Sequence, residues 1–228
     1  MEIEIGRGRK ARRAFGFDEI TIVPQRRTRD VGDVDVGWKL GPHLIELPLL
    51  SSPMDGTTSP EIAAELGRLG GLGVLDLEGL WARHDDAAAL LAEVAALAPD
   101  AALGRLRELY AAPLRTELMV ARVREIAAAG VLAAGALSPL HVREHWQAVV
   151  DAGLDVLVVH GTVVSAEHVS RSHEPVNLKE FIAQVGVPCI VGGCASYSAA
   201  LHLMRTGAAA VLVGVGPGQA CTTRGVLG

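Results

Sequence analysis

Ala209-Ala210-Val211-Leu212-Val213-Gly214-Val215-Gly216-Pro217-Gly218-Gln219-Ala220-Cys221-Thr222-Thr223-Arg224 joins an unbroken aliphatic run to a glycine-rich loop. A strand that is apolar at successive positions, rather than at alternate ones, belongs to a sheet covered on both faces. Working outward, comparable short runs occur at Leu47 to Ser51, Leu72 to Leu77, Val131 to Ala134, Asp155 to His160 and Val187 to Gly192, and with Ala209 to Gly214 they make six. Several end in Gly, Ser or Asp.

Helical patterns fill the intervals. Ser59-Pro60 and Ser138-Pro139 each place a capping hydroxyl before a proline suited to the first helical turn, and Asn177, Thr116 and Ser196 fit the capping role too. Val142, Trp146, Val149 and Val150 fall near helical spacing before a stop at Gly153, and the helix after Ser196 stops at Gly207. The interval from Trp81 to Pro113 is longer than an ordinary connection, and Asp85 to Ala98 reads as an Ala/Leu-rich helix within it. Repeated strand–helix units with right-handed crossovers build an open doubly wound sheet or a closed barrel. Units of roughly 30 residues fit a barrel, which needs eight of them in about 250 residues. The expected fold is therefore α/β, a (β/α)8 TIM barrel truncated after about six βα units. It forms one domain over residues 1–228, with residues 1–45 as an arm before the first barrel strand.

Composition agrees with a packed domain: 50% of the residues are hydrophobic and only 4% aromatic, which suits aliphatic layers inside a barrel. The net charge of −5 supplies no field for nucleic acid. The basic residues between Arg7 and Arg13 and between Arg26 and Arg29 read as a solvated surface or a subunit contact. No apolar run reaches the roughly 18 residues of a membrane span, and Met-Glu-Ile-Glu does not resemble a secretory signal, so a cytoplasmic protein is expected.

The three cysteines, Cys189, Cys194 and Cys221, form no Cys-x-x-Cys and no zinc-finger pattern, so reduced thiols are expected. Cys221 alone follows a glycine-rich turn at a strand end, where barrel enzymes place their active sites, and precedes Arg224. Backbone N–H groups and a nearby cation favour a thiolate, although free cysteines are more often buried packing residues. Elsewhere, Glu167 to Lys179, with His168 and His173, lacks regular metal-ligand spacing and reads as a solvated loop. Trp38, Trp81 and Trp146 read as packing residues, and Asp18-Glu19 and Asp85-Asp86 are adjacent acids whose side chains point apart.

The cysteine loop Gly-Val-Gly-Pro-Gly-Gln-Ala-Cys-Thr-Thr-Arg resembles the signature of the IMP dehydrogenase/GMP reductase family. Upstream, Leu49-Leu50-Ser51-Ser52-Pro53-Met54-Asp55 resembles that family's Ser-x-Met-Asp loop, and Gly70-Gly71-Leu72-Gly73 its Gly-Gly-Ile-Gly. Ala152 to Val159 resembles its approach to the fourth strand. The matches are ordered and spaced along roughly residues 15–228. Arg12-Arg13, Thr21-Ile22-Val23-Pro24, Gly70 to Leu75 and Glu78-Gly79-Leu80-Trp81 are similar to the short IMP dehydrogenase-related proteins that lack paired CBS domains.

The resemblance implies NAD-dependent oxidation of IMP to XMP in guanine nucleotide synthesis, with Cys221 as nucleophile and Thr223 positioning water. It implies that Ser52, Met54 and Gln219 contact the nucleotide. Carbonyls of Gly216, Gly218 and Cys221 would hold a monovalent cation (K+), and a homotetramer is the implied assembly. The sequence departs from the family pattern at the cofactor positions: His160 replaces the acid that binds cofactor ribose, and Cys194 replaces an asparagine. Gln219 replaces a phosphate-binding serine. The family also carries a phosphate-binding stretch, a mobile flap and a general-base arginine beyond this loop, so the expectation is that activity belongs to a longer parent chain. GMP reductase, running an NADPH-dependent reductive deamination, and a non-catalytic purine-nucleotide-binding paralogue are the rival readings.

Overall fold

The computed structural model describes residues 2–13, 15–24, 26–161, 164–165, 176–216, 218 and 221, in two compact units. The smaller unit comprises residues 1–35 and 214–228. Its regular part is an antiparallel hairpin of β1 (Glu2–Glu4) and β2 (Lys10–Arg12), with Glu2 opposite Arg12. Glu2 pairs with Lys10 at 3.7 Å, and Arg13 pairs with Glu19 at 3.4 Å, which gives part of the basic cluster acidic neighbours.

The larger unit, residues 36–213, opens with a second hairpin, β3 (Trp38–Leu40) and β4 (His43–Ile45). These residues, the last stretch of the expected arm, pack as part of the barrel unit. Gly41, at φ +59°, makes the tight turn, and a Cβ there would lie 2.5 Å from the Pro188 ring.

The chain then alternates. α1 (Pro60–Arg68) leads to β5 (Val74–Asp76), and α2 (Ala87–Ala95), α3 (Pro99–Tyr110) and α4 (Thr116–Ala128) precede β6 (Ala134–Leu137). α5 (Val142–Asp151) leads to β7 (Val156–His160), α6 (Leu178–Val185) to β8 (Cys189–Cys194), and α7 (Tyr197–Met204) to β9 (Ala210–Val213). β5 to β9 form a parallel five-stranded sheet in sequence order. Sequential parallel strands with a helix between each pair form the continuous arc of a (β/α)8 barrel, not the reversing order of a doubly wound sheet.

Both faces of the arc are buried from β5 to β8, as the continuous apolar runs require, while β9 at its edge is half-buried and ends at the exposed Val213. Leu157 and Val159 of β7 join Leu75, Leu137, Cys189 and Val191 in the layer under the helices. Val156 and Val158 join Val74, Ala134, Ala136 and Ile190 on the inner face, where Leu40 and Ile45 from the β3–β4 hairpin close the amino ends of the strands. Ser59 accepts the Ile62 N–H, Asn177 accepts those of Lys179 and Glu180, and Ser196 accepts that of Ala199, so three expected caps are in place. The helix α1 approaches β5 at backbone distance: a Cβ on Gly73 would sit 2.2 Å from Ala63 Cα, so only glycine fits.

Several elements differ from expectation. The first run is reduced to a single parallel bridge, Leu50 to Leu72, reinforced by Val74 N–H donating to Ser51 Oγ at 2.9 Å. β6 begins three residues later than the apolar run Val131 to Ala134, because Val131 fills the space over Gly67 of α1 while the small residues Ala134-Gly135-Ala136 do the pairing. α5 starts at Val142, since Ser138 opens a turn whose carbonyl accepts the His141 and Val142 N–H groups. Thr116 does not cap α4; its hydroxyl meets His145 Nδ1 at 3.0 Å. The long interval contains two helices, α2 and α3, with Pro99 at the first turn of the second.

Candidate active site

The loop after the first run is held by its own carbonyls. Ser52 O accepts the hydroxyls of Thr57 at 2.7 Å and Thr58 at 2.8 Å, and Met54 O accepts the N–H groups of Thr57 and Thr58. That leaves the side chains of Ser52 and Met54 exposed, Met54 by 52%. An exposed methionine on a pinned loop is a contact surface rather than a core residue. Asp55 ties the loop to the next unit: its Oδ2 accepts the Leu80 N–H at 2.8 Å and the Tyr110 hydroxyl from the end of α3. Gly79 makes this approach possible, because a Cβ there would lie 2.3 Å from Asp55 Oδ1.

Beside that loop, a cavity of about 320 Å³ opens at the carboxyl ends of β5, β6 and β7. Pro53, Asp76, Glu78, Arg83, Tyr110 and His160 contribute to its lining, with Ser138 at the end of β6. Glu78 accepts the Ser138 N–H through Oε1 and meets His141 Nδ1 through Oε2 at 2.7 Å, joining the ends of β5 and β6. Arg83 donates to the carbonyls of Glu78 and Ala112 and lies 5.6 Å from the Tyr110 ring centre. Burial raises the Asp76 carboxyl to about 6, opposed by its hydrogen bond from the Glu78 N–H. Burial, together with the hydrogen bond to Asp55, pushes the Tyr110 hydroxyl well above its ordinary value. Asp76, Arg83 and Tyr110 were not singled out from the sequence. The signal for Asp76 and Glu78 was two acids spaced i,i+2 at a strand's carboxyl end, which a search for adjacent acids passes over.

His160 and Cys194, from neighbouring strands, face different surroundings. His160 is exposed at the end of β7 and lines the cavity, and partial burial lowers its pKa. Cys194 is 1% exposed, in the layer under the helices, and its Sγ donates to Leu212 O at 3.5 Å. The ladder between β8 and β9 shifts register between Gly192 and Cys194, so Cys194 does not continue the inner-face alternation of the strand.

The cysteine loop belongs to the smaller unit. Gly216 has φ +60°, and the Cys221 N–H donates to Gly218 O at 3.0 Å, which turns the chain just before the thiol. Cys221 is exposed, whereas Cys189 and Cys194 are buried; burial pushes the Cys189 thiol up to about 12 and the Cys194 thiol upward. A thiol so disfavoured as thiolate is a packing residue, leaving Cys221 as the exposed thiol of the three. Thr223, Gln219 and Arg224 lie outside the described residues, as does most of the Glu167 to Lys179 stretch. The structure thus brings Ser52, Met54 and His160 to one rim of the barrel unit, turns the Cys194 thiol away from it, and holds Gly216, Gly218 and Cys221 in the other unit. Among the described residues, no helix is long and apolar enough to cross a membrane, and no His/Cys/Asp/Glu group has metal-binding geometry.

Known proteins resemble this chain over nearly its whole length. An uncharacterized oxidoreductase of Mycobacterium tuberculosis is 48% identical over 226 residues, covering 97% of this chain and 60% of that protein. A second, from Mycolicibacterium smegmatis, is 46% identical with the same coverage. The inosine-5'-monophosphate dehydrogenase of Cryptosporidium parvum is 27% identical over 93% of this chain and 54% of its own. The crystal structure of an IMP dehydrogenase/GMP reductase-like protein from Corynebacterium glutamicum superposes with a TM-score of 0.87 at 45% identity, covering 94% of this chain and 58% of that one. The chain therefore spans about 60% of the length of the curated relatives it matches. The profile of the IMP dehydrogenase / GMP reductase domain matches residues 14–228. With the barrel arc, the pinned Ser-Met-Asp loop and the exposed loop cysteine, these likenesses mean that the chain belongs to the IMP dehydrogenase/GMP reductase family of oxidoreductases.

Proposed function

We propose that the full-length protein is an NAD-dependent IMP dehydrogenase of guanine nucleotide synthesis, with Cys221 as its nucleophile. The observation that carries this reading is the contrast among the cysteines: Cys221 is exposed on a glycine-rich turn, while Cys189 and Cys194 are buried and disfavoured as thiolates. In this reading the Cys221 thiolate bonds to C2 of the hypoxanthine ring, and hydride leaves C2. Thr223 then positions the water that displaces the thiolate and gives XMP. Ser52, Met54 and Gln219 hold the nucleotide.

NAD, when bound, accepts the hydride. The cavity between β5 and β7 fits part of such a cofactor, offering a carboxylate and an imidazole to hydroxyl groups within the ordinary size range of small-molecule sites, about 300–1,000 Å³. His160 would face the cofactor with its side chain, and the end of β8 at Cys194 with backbone alone, since the Cys194 thiol is buried under the helices. Carbonyl oxygens of Gly216, Gly218 and Cys221 are hard donors that suit a monovalent cation such as K+. A cytoplasmic homotetramer acting on IMP, with no nucleic-acid or membrane partner, completes the proposal.

The test is NADH formation by the full-length protein given IMP and NAD. Steady formation that falls at least about a thousandfold in Cys221→Ala supports the reading. Consumption of NADPH with GMP, and none of NAD with IMP, would instead assign the reductive reaction. IMP binding without hydride transfer in either direction would mark a non-catalytic nucleotide-binding protein.

A further inference from the structure

One carboxylate oxygen in the cavity is left unused by the fold. Both oxygens of Glu78 are engaged, with the Ser138 N–H and His141; the Tyr110 hydroxyl donates to Asp55; Arg83 is held by two carbonyls. Asp76 differs. Its Oδ1 accepts the Glu78 N–H at 2.9 Å, and its Oδ2 has no hydrogen-bond partner among the described residues. Ser138 lines the same cavity from the end of β6, and His160 from the end of β7. β6 lies between β5 and β7, so Asp76 and His160 flank the opening from two strands apart, roughly 10 Å. A gap of that width admits a sugar ring.

Charge narrows the class of ligand. Two carboxylates outnumber the one guanidinium, Arg83, which two backbone carbonyls already hold, and so disfavour a phosphate here, whereas an acceptor-only carboxylate beside a hydroxyl and an imidazole suits a group that donates several O–H bonds. We propose that Asp76 is the acceptor for the vicinal hydroxyls of a ribosyl group seated between the ends of β5 and β7, and that this group belongs to the dinucleotide cofactor. The inference rests on the dehydrogenase reading for the identity of the cofactor, and on the cavity alone for the class of ligand.

Binding then depends on ionisation of Asp76. Its surroundings are Asp55 of the first loop, Glu78 and Arg83 of its own segment, Tyr110 of α3, and Ser138 and His160 at the neighbouring strand ends. Burial dominates among these and holds the carboxyl near 6, so the acceptor is charged above that pH and lost below it.

The probe is ADP-ribose, titrated calorimetrically into the full-length protein and its Asp76→Asn variant at about pH 7.5 and about pH 5.5. At the higher pH the variant should bind about tenfold more weakly, the loss of one charge-assisted hydrogen bond, with IMP affinity little changed and the thermal midpoint not lowered. At the lower pH the two proteins should converge. If the variant fails to fold, the wild type alone decides, since its ADP-ribose affinity must fall as pH drops through about 6. Affinities within about twofold of each other at the higher pH, a wild-type affinity flat with pH, or no ADP-ribose binding at all would overturn the subsite. If Asp76-dependent binding is found in a protein that never oxidises IMP, the subsite stands and the dehydrogenase reading falls. If Asp76→Asn turns over IMP with unaltered cofactor affinity, the dehydrogenase reading stands and the subsite falls.

Discussion

Two halves of one rim are built differently. At the ends of β5 and β6, Asp55, Glu78, Arg83, Tyr110, Ser138 and His141 are linked by hydrogen bonds, most of which cross between chain segments far apart in sequence. At the ends of β7 and β8 there are His160, a Gly-Gly pair and a thiol turned under the helices. The first half fixes its side chains by engaging their polar atoms with one another; the second, among the described residues, offers mainly backbone. A site made from both has one rigid wall and one that is open among the described residues, and the carboxylate oxygens left over on the rigid wall are Asp76 Oδ2, which faces the cavity, and the buried Asp55 Oδ1.

The strongest way to break this comparison is to remove the tie at its centre. Asp55→Ala deprives the Leu80 N–H and the Tyr110 hydroxyl of their shared acceptor, and the half-buried amide then lacks a partner. Stranding such donors costs about 1–3 kcal/mol, so the denaturant midpoint should fall correspondingly. A loss under about 0.5 kcal/mol would mean that the network is ornamental and that the two halves do not differ in rigidity.

A second test sharpens the contrast through pH, because burial acts oppositely on the two walls. The raised pKa of Asp76 means that folding disfavours its charged form, so its penalty is absent below about pH 4, accrues between about pH 4 and 6, and is complete above that. Asp76→Asn should therefore be more stable than wild type by about 1–2 kcal/mol near neutrality and no more stable near pH 4. The lowered pKa of His160 gives a penalty of the other sense, growing as pH falls below its ordinary range. Unfolding curves of Asp76→Asn parallel to wild type across this range would show that the carboxyl is not desolvated.

This difference between the walls also explains what could be read from the sequence. Five apolar runs become β5 to β9 in order, since burial on both faces of a parallel sheet writes itself into consecutive residues. Local caps at Ser59, Asn177 and Ser196 were legible because donor and acceptor lie within three residues. Thr116 carries the same local signal, yet its hydroxyl meets His145, 29 residues away, while the Ser138 hydroxyl meets the His141 ring and its N–H donates to Glu78, 60 residues away, so neither caps a helix. Tyr110 was hidden for the same reason: its partner Asp55 is 55 residues distant, and the helix that carries it was not expected. The open wall was easier, because His160 stands at a strand end where a polar residue interrupts an aliphatic run. Cys194 stands at the next strand end, but the register shift before it sends the thiol to the opposite face, which spacing alone does not reveal.

That placement of Cys194 gives the smallest of the expected effects. If its side chain served the open wall, Cys194→Ala would change the rim and leave stability alone. As placed, the thiol is 1% exposed, makes one long contact of 3.5 Å to Leu212 O, and packs in the layer under the helices. Truncation removes a weak donor and one buried sulfur, so the cost in stability should be about 1 kcal/mol or less. The Leu212 carbonyl keeps its place in the ladder between β8 and β9, and nothing at the rim is displaced. Cofactor affinity in Cys194→Ala should then match wild type within about twofold, while the thermal midpoint falls by a few degrees. A variant of unchanged stability but weakened cofactor binding would reverse the assignment, placing the thiol on the open wall and making that wall as chemically specific as its partner.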